Sequence, residues 1–375
     1  MYKAYKFRLY PTKEQEIMIN KTIGCTRFIY NYFLSECKKN GYKKVYEMCN
    51  EIKELVKEYP WLSEVDSCSL RCACFNLEDA YKRYFNKVGG YPKFKSKNNR
   101  GSYRTNCIRS TYKGRNYSNI EINKKENTIK LSKIGIVEIR GYRNKDSIEG
   151  KIINATITKE VTNKYYVSVV VEEEEIRKEK GIPTNIVGID LGVKDLIITS
   201  NGEKYNNPKE LMKKEKRLKR LQRKLARQIK ESNNYRKTRI KIANIYSKIK
   251  NSRKHNLITI VNKIVKENDI IVSENLFVQK MHNTHNLTKY IRDASFNKII
   301  NLLKWKCSLR GKYYYQVDKY YPSSKICSHC GEKTNKTEDL SIRSWECDRC
   351  HHINDRDINA SINIMDEGIR LHYCS

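Results

Sequence analysis

The stretch "NIVGIDLGVKDLIITSNGEKY", residues 185–205, holds the pattern that decides the fold of the carboxyl-terminal half of the chain. An apolar run ends at Asp190, a tight connection follows, and a second apolar run leads to the pair Asn201 and Gly202. Asn-Gly between two extended runs is a strong signal for a two-residue hairpin turn. The stretch therefore predicts two buried strands and a short third strand.

Segments further along the chain extend this pattern into a mixed α/β domain. "DIIVSENL" (269–276) and "KYYYQVDKYYP" (312–322) predict two more strands, separated by a helix from about Leu287 to Arg310. A last helix begins near "DRDIN" (355–359). This succession is typical of a ribonuclease-H-like α/β fold, with the first three strands forming an antiparallel meander.

The amino-terminal half predicts helices followed by strands. A first helix is expected after Pro11, with Thr12 and Gln15 in a capping box, and helix continues to about residue 85. From about residue 103 to 176 the pattern changes to strands, including a hairpin that turns at residues 162–164. We expect this strand-rich region to form a small β-barrel or a strongly bent sheet.

The charge of the chain points to a polyanionic partner. Its 375 residues include 76 Lys and Arg against 42 Asp and Glu, a formal net charge of +34. Such self-repulsion is tolerated where a polyanion neutralises it, so we expect phosphate contacts with nucleic acid. Solubilising charge is the alternative, but solubilising surfaces usually mix both signs.

The segment from residue 208 to 254 concentrates this charge, with 19 Lys or Arg and three Glu. "KESNNYRK" (230–237) interrupts the segment and predicts two antiparallel helices. An apolar stripe at helical spacing is expected to face the partner helix: Leu211, Leu218, Leu221, Leu225 and Ile229. A charged helix is usually a solvated face, but the scarcity of acid here favours a phosphate-facing surface.

Three acidic residues stand where a carboxylate needs a cation or strong donors. Asp190 and Glu274 end apolar strands, and Asp357 begins the last helix. If these elements converge, the three carboxylates would hold two Mg²⁺ ions for attack of water on a phosphodiester. A single aspartate at such a place is more often a helix cap, which is our expectation for Asp355. The "DLG" at Asp190 also occurs in sugar-kinase-like ATPases, but the glycine-rich loops that those enzymes need are not found downstream.

Cysteine spacing predicts a structural zinc site. Two C-x2-C pairs separated by 16 residues suit tetrahedral Zn²⁺ in a ribbon, and four thiolates leave no open coordination position. The four are Cys327, Cys330, Cys347 and Cys350. The other nine of the 13 cysteines, among them Cys68, Cys72 and Cys74, are expected to be buried free thiols.

Length and hydropathy indicate a cytoplasmic protein of two to three domains. No apolar run approaches the roughly 18 to 20 residues that span a bilayer. The first residues lack the uninterrupted apolar segment of an export signal. We expect no membrane association, and a monomer rather than a dimer.

Together, these motifs resemble TnpB, the OrfB-type protein of bacterial insertion sequences. "YKFRLYPTKEQ" (5–15), "GCTRFIYNYFL" (24–34) and "GYPKFKSK" (90–97) are similar to its opening helical domain. "VGIDLGVKDL" (187–196), "VSENLFVQKM" (272–281) and "NDRDINASINI" (354–364) resemble its three RuvC motifs. "YPSSKICSHCG" (321–331) and "WECDRC" (345–350) resemble its zinc ribbon.

The resemblance implies an α+β multidomain protein. Residues 1–10 and 96–182 would form a β-barrel wedge domain, and residues 11–95 a helical recognition domain. Residues 183–325 and 353–375 would form a RuvC-like nuclease domain with a zinc ribbon inserted at 326–352.

The resemblance also implies a Mg²⁺-dependent, RNA-guided DNA endonuclease of a transposable element. Its partners would be an omega-type noncoding guide RNA and double-stranded target DNA, cut beside a short flanking motif. Asp190, Glu274 and Asp357 match the catalytic positions of the family, whereas Asp355 matches an aspartate that is not a metal ligand there.

Two departures and several rival functions accompany the resemblance. Asn354 stands where the family often has histidine, and Ser361 where it often has alanine; we expect activity to survive, although Asn354 could change how the ribbon seats. One rival is a repressor, RNA chaperone or accessory transposition protein without cleavage, which the intact acidic trio disfavours. Others are an enzyme that transfers DNA strands and a compact type V CRISPR effector.

Overall fold

The computed structural model describes residues 1–97, 100–112, 115–141, 148–174, 183–275, 293–339 and 341–373. The chain divides into two compact units, Met1–Glu175 and Ile176–Ser375, each with its own buried core. Within the described ranges, the helices lack the combination of length and apolarity that a membrane crossing requires.

Unit 1 begins with a strand and a helical layer. The helices are α1 (Lys13–Asn40), α2 (Val45–Glu58), a short 3-10 helix (Pro60–Glu64) and α3 (Ser67–Phe85). The predicted capping box is confirmed, because the Gln15 amide donates to Thr12 Oγ1 at 3.3 Å and the Thr12 amide to Gln15 Oε1 at 3.0 Å. Phe33, Leu34 and Leu77 lie in the core that the helices share.

The strands of unit 1 form one antiparallel sheet beside a separate hairpin. They are β1 (Tyr2–Tyr10), β2 (Gly101–Asn106), β3 (Arg109–Tyr112), β4 (Arg115–Ser118), β5 (Ile120–Asn123), β6 (Thr128–Leu131), β7 (Gly135–Arg140), β8 (Lys151–Lys159) and β9 (Tyr165–Glu172). The seven-stranded sheet has the order β2-β8-β9-β1-β7-β6-β5, and β3 pairs with β4. The predicted β8–β9 hairpin is confirmed, and its turn contains Asn163 at a φ of 57°.

Closure of this sheet into a barrel stays a prediction. In the described ranges, no strand pairing joins the edge strands β2 and β5. The first strand lies inside the sheet, since β1 pairs with β9 from Tyr2 opposite Glu172 to Leu9 opposite Tyr165.

Unit 2 is a five-stranded sheet covered by helices on both faces. Its strands are β10 (Ile186–Asp190), β11 (Asp195–Thr199), β12 (Lys204–Asn206), β13 (Ile270–Glu274) and β14 (Tyr313–Val317), and its helices are α4 (Glu210–Ala226), α5 (Asn233–Glu267), α6 (Phe296–Arg310) and α7 (Arg356–Tyr373). The order is β12-β11-β10-β13-β14. The predicted meander is confirmed, since β10, β11 and β12 are antiparallel, whereas β13 runs parallel to β10 and β14. The predicted helix from about Leu287 to Arg310 is observed as α6 from Phe296 to Arg310, and residues 287–292 of that prediction lie outside the described residues.

The basic segment forms two packed helices, α4 and α5, as predicted. Leu218 of α4 packs against Ile245 and Ile249 of α5. The assignment of Ile229 to the apolar stripe is wrong, because α4 ends at Ala226 and Ile229 lies in the connecting turn, 82% exposed.

The other cysteines divide into two groups. Cys72 and Cys74 are buried, as predicted. The prediction is wrong for Cys68, Cys49 and Cys107, which are only partly buried.

Helix α7 lies directly against β10 because the strand has a glycine at the crossing point. A Cβ atom at Gly188 would lie 2.0 Å from the Ser361 carbonyl oxygen and 2.7 Å from the Met365 amide nitrogen. Both atoms belong to the backbone of α7, so any larger residue would push the helix away. This close approach fixes where α7 begins relative to the end of β10.

Candidate active site and zinc ribbon

Asp190 and Glu274 are the last residues of two adjacent parallel strands. In the register of β10 and β13, Ile189 is opposite Ser273, and the next residue of each strand is one of the two acids. Parallel strands end at the same edge of a sheet, where α/β proteins usually bind their ligands. The sheet therefore brings these two carboxylates to one edge.

Asp357 reaches the same edge from the first turn of α7. Asp355, just before the helix, accepts hydrogen bonds through Oδ1 from the amides of Asp357 and Ile358, both at 3.1 Å. The cap predicted for Asp355 is thereby confirmed. Burial opposes ionisation of Asp355, but the Lys204 ammonium at 2.5 Å and the Ile358 amide outweigh it and hold the pKa of that carboxyl below its ordinary value.

Glu274 and Asp357 act electrostatically on Asp190. Burial, followed by the negative charges of Glu274 and Asp357, raises the pKa of Asp190 to about 7. Burial also raises the pKa of Glu274, although the Ser323 hydroxyl donates to its Oε1 and opposes the shift. Buried like charges of this kind favour binding of a cation.

The trio is nevertheless more open than the cysteine site. Among residues that the structure describes, the four cysteines are the only group of three or more possible metal ligands packed within 4.8 Å of one another.

Arg343 donates from Nη1 to both oxygens of Asp357, at 3.4 and 3.3 Å. Sequence reasoning missed Arg343, because no local motif marks a residue that reaches the site only through the folded ribbon.

The sulfurs of the four cysteines lie within 4.8 Å of one another, close enough to share one metal ion. Cys327 Sγ lies 3.7 Å from Cys350 Sγ, and Cys330 Sγ lies 3.5 Å from Cys347 Sγ. Sulfurs bound to one Zn²⁺ at about 2.3 Å stand roughly 3.8 Å apart in a tetrahedron. Burial opposes ionisation of Cys327, but the amides of His329 and Cys330 lower its pKa to about 7. The donor set therefore suits zinc.

Asn354 forms a hydrogen bond with one of the four cysteines. The residue is buried, and its Nδ2 donates to Cys327 Sγ at 3.5 Å and to the His352 carbonyl at 3.2 Å. It lies in β16 (Ile353–Asp355), which pairs with β15 (Ser344–Glu346). Partners of this kind orient metal ligands. Asparagine replaces the histidine that the family often has at this position, and its side chain still donates a hydrogen bond to the Cys327 sulfur.

Side chains of α7 bind the ribbon and the segment that leads into it. Asn359 and Asn363 both donate to the Ile326 carbonyl at 2.7 Å, and Asn363 also donates to the Ser323 carbonyl at 2.7 Å. The buried Arg356 donates from Nη1 to the Asp339 carbonyl at 2.8 Å. Since Arg356 directly precedes Asp357, the ribbon fold and the start of α7 are coupled.

Ser361, the other departure, also belongs to this helix. Its buried hydroxyl has one hydrogen, which two acceptors share: the Ile198 carbonyl at 3.1 Å and the Asp357 carbonyl at 2.8 Å. The first bond joins α7 to β11, and the second lies within the helix. The serine hydroxyl is therefore satisfied, and the departure leaves the carboxylates untouched.

A basic groove of about 1070 Å³ runs along α4. Its charged lining residues are Lys213, Lys216, Arg217, Lys219, Arg220, Arg223, Lys224 and Arg227. Within this helix, Lys214 pairs with Glu210 and Lys219 with Glu215, at 2.9 and 3.1 Å. Positive charge at successive turns of one helix face is suited to following a phosphate backbone.

Comparisons with known proteins agree with this architecture. A family model described as "Probable transposase" of the OrfB type matches residues 168–285, one described as "Cas12f1-like, TNB domain" matches residues 296–364, and a "Helix-turn-helix domain" model matches residues 1–44. The solved structure of a Cas12f1–guide RNA–target DNA complex covers 97% of this chain and 98% of its own, with a TM-score of 0.59 at 14% identity. At that identity the likeness is one of fold.

Sequence relatives identify the family. A Streptomyces pristinaespiralis protein named "Putative RNA-guided DNA endonuclease" is 32% identical, over 99% of this chain and 90% of that protein. InsQ of Escherichia coli K12, which carries the same description, is 28% identical, over 99% of this chain and 93% of that protein. Because the likeness extends along nearly the whole length of both chains, the chain belongs to the TnpB (OrfB-type) family of RNA-guided DNA endonucleases encoded by insertion sequences.

Proposed function

We propose that this chain cuts double-stranded DNA beside a short flanking motif, guided by a bound noncoding RNA, and that Asp190, Glu274 and Asp357 form the cutting site. Family membership supports the guided nuclease activity. The observation that supports the site is the convergence of β10, β13 and α7, each of which supplies one carboxylate. The effect of both neighbours on the pKa of Asp190 supports the same grouping.

The oxygen donors of this trio suit Mg²⁺, and we propose two ions at the site. When bound, such ions polarise the phosphodiester and activate the attacking water. Burial and the negative charges of both other acids raise the pKa of Asp190. Its carboxyl holds a proton more readily than an ordinary aspartate and would release that proton when cations bind.

Other residues position the trio. The Ser323 hydroxyl orients Glu274, and the Asp355 cap fixes the first turn of α7. The ribbon, closed on Zn²⁺ by its cysteines, would hold the start of α7 through Arg356. We propose that the basic groove of α4 carries nucleic-acid backbone and that the chain acts as a monomer, since one chain supplies all three carboxylates.

Co-expression of the chain with the DNA that flanks its gene tests the proposal. We expect a discrete RNA to co-purify, and the complex to cut a matching duplex only when Mg²⁺ is present. Asp190→Asn should keep RNA and target binding but lose cleavage. Asp195→Asn, five positions away in the same motif, is the control that should still cut.

Three results would redirect the proposal. Recovery of no discrete RNA would remove guidance, and cutting by Asp190→Asn would remove the assigned site. Joined DNA products would instead support strand transfer. An RNA transcribed from a repeat array, rather than from the end of a transposable element, would support a type V CRISPR effector.

A further inference from the structure

Unit 1 contains a cavity of about 260 Å³ between α1, α3 and the segment that leads into β2. Its cationic lining residues are Arg27, Lys95, Arg100 and Arg104. Asn76 and Ser102 add an amide and a hydroxyl to the lining. Arg27 comes from α1, whereas Lys95, Arg100 and Arg104 come from one stretch of chain, the loop before β2 and β2 itself. Positive charge thus enters the cavity from two parts of the sequence.

These cations are weakly compensated. Arg104 has a buried Nε with no hydrogen-bond acceptor, and Arg27 forms no ion pair with any residue that the structure describes. Arg100 comes within 3.9 Å of Glu160, a distance typical of a loose pair. The nearby acid Asp66 is occupied, since it accepts from the Ser69 amide at 3.1 Å and from the Thr105 hydroxyl at 2.6 Å.

The ammonium of Lys95 adds to this imbalance. It lies 3.9 Å from the centre of the Tyr30 ring. Although much of the residue is exposed, burial at this place lowers the pKa of Lys95 to about 8. An anion in the cavity would favour the charged form of the Lys95 amine. It would also give the buried Nε of Arg104 a hydrogen-bond acceptor.

The walls of the cavity are held by specific contacts. The Lys95 amide donates to Asn31 Oδ1 at 2.8 Å, and Asn31 Nδ2 donates to the Lys95 carbonyl at 3.0 Å. A Cβ atom at Gly101 would lie 2.8 Å from Ile23 Cγ2, so a glycine lets β2 start directly against α1. The Asp66 bonds join the start of α3 to β2. The cations are therefore positioned by the fold.

We propose that this cavity seats a backbone phosphate of the bound nucleic acid, with Arg27 and Arg104 as its main ligands. The volume is too small for a duplex but admits one phosphodiester with part of its sugar. Guanidinium groups bind phosphate oxygens through paired N–H donors. The inference rests on the proposed function and adds an anchoring site in unit 1, separate from the carboxylates of unit 2.

Neutral variants of the full chain, co-expressed with its flanking DNA, test the site. Arg27→Gln and Arg104→Gln are compared with Lys53→Gln, which removes one charge from an exposed position of α2. The readouts are the amount of RNA recovered and the dissociation constant for a matching duplex, measured without Mg²⁺ at several salt concentrations. Loss of one phosphate contact should lower the salt slope by about 0.7 to 0.9 and weaken binding about tenfold.

The two readouts distinguish the source of the phosphate. Reduced RNA recovery assigns it to the guide RNA, whereas normal recovery with weaker duplex binding assigns it to the target DNA. Unchanged values for both variants, in proteins that melt like the wild type, would overturn the proposal. If Arg104→Gln does not fold, the partly exposed Arg27 decides the question alone.

A second experiment tests the cavity without depending on a bound guide RNA. Short single-stranded RNA and DNA oligonucleotides are titrated into the wild type and Arg27→Gln, with Lys53→Gln as the control. Weaker binding by Arg27→Gln supports the cavity even if the wild type neither retains a discrete RNA nor cuts DNA. Equal binding by all three proteins would count against the cavity, whatever the outcome for the nuclease.

Discussion

Arg343 of the ribbon and Asp357 of α7 form an ion pair through Nη1 and both carboxylate oxygens, at 3.4 and 3.3 Å. The guanidinium side chain is 50% exposed, and that of Asp357 is 19% exposed. The oxygens that we assign to metal binding are thus shared with a cation of the protein itself. A divalent ion has to compete with the guanidinium for them.

Removing that competitor should increase the apparent affinity for Mg²⁺. We expect Arg343→Gln to lower the half-saturating Mg²⁺ concentration by about two- to fivefold, because an exposed ion pair contributes at most about 1 kcal/mol. The measurement is the Mg²⁺-dependent rise in melting temperature. Arg349→Gln, which removes a ribbon arginine paired with Glu332 at 3.7 Å, is the control. A higher Mg²⁺ requirement in Arg343→Gln would contradict the competition.

Asp355 and Asp357 should respond differently to the same substitution. Asp357→Asn removes a proposed metal ligand, so we expect cleavage to fall below detection. Asp355→Asn keeps a good N-cap residue and loses only the exposed pair with Lys204, which corresponds to about 1 kcal/mol or less. Its cleavage rate should stay within about threefold of the wild type. Rate measurements on the two purified complexes check this, and equal loss in both would contradict the assigned roles.

The sequence could predict what is encoded locally. The Thr12 capping box, the β8–β9 hairpin and the meander of β10 to β12 depend on neighbouring residues, and all are observed. Asp355 could be recognised as a cap for the same reason. The end of α4 was harder to place, because the leucine spacing continues to Ile229 after the helix has stopped at Ala226.

The rest depends on contacts between distant parts of the chain. The pairing of β1 with β9 joins residues about 160 positions apart, and no local pattern specifies it. Arg343 lies on a ribbon loop and reaches Asp357 only because Arg356 binds that loop. The glycine in "VGID" could be seen in the sequence, but the reason for it, the backbone of α7, could not.

Loss of zinc should disable cleavage while unit 1 stays folded. We expect Cys330→Ser to lower bound zinc well below one ion per chain and to lower cleavage at least tenfold, because a ribbon without its metal no longer holds Arg356 and the start of α7. Cys49→Ser, at a partly buried thiol of α2, should keep its zinc. Zinc content by elemental analysis and cleavage rates test this. Full cleavage by a zinc-free protein would separate the ribbon from the active site.

Glu173 should make the stability of β1 depend on pH. Burial opposes its ionisation, but the Lys3 ammonium at 2.6 Å and the Tyr5 hydroxyl outweigh it and hold the pKa of Glu173 below its ordinary value. Stability from such a group is present above the unfolded pKa and is lost as pH falls through the folded pKa. Glu173→Gln should therefore destabilise β1 by about 1 kcal/mol at pH 7 and by less below about pH 4.

Hydrogen exchange of the β1 amides at the two pH values measures this difference. Glu172→Gln is the matched control, since the carboxylate of this neighbouring acid accepts a hydrogen bond from the exposed Tyr2 hydroxyl, at 3.0 Å, and has no ion pair with a residue that the structure describes. A destabilisation by Glu173→Gln that is the same at both pH values would show that its charge does not matter.

The groove of α4 should contribute to nucleic-acid binding through charge alone. Leu218 fixes the opposite face of the helix against α5, so substitutions on the groove side leave packing intact. We expect Arg220→Gln to lower the slope of log affinity against log salt by about 0.7 to 0.9, and a triple variant that also changes Lys216 and Arg223 to lower it by about 2 to 3. Lys214→Gln, whose charge is already paired with Glu210 at 2.9 Å, should leave the slope unchanged.

Because the groove makes no base-specific contacts in this proposal, the ratio of affinities for matched and unmatched targets should stay the same. A change in that ratio without a change in slope would mean that α4 takes part in reading sequence and does not simply hold the backbone.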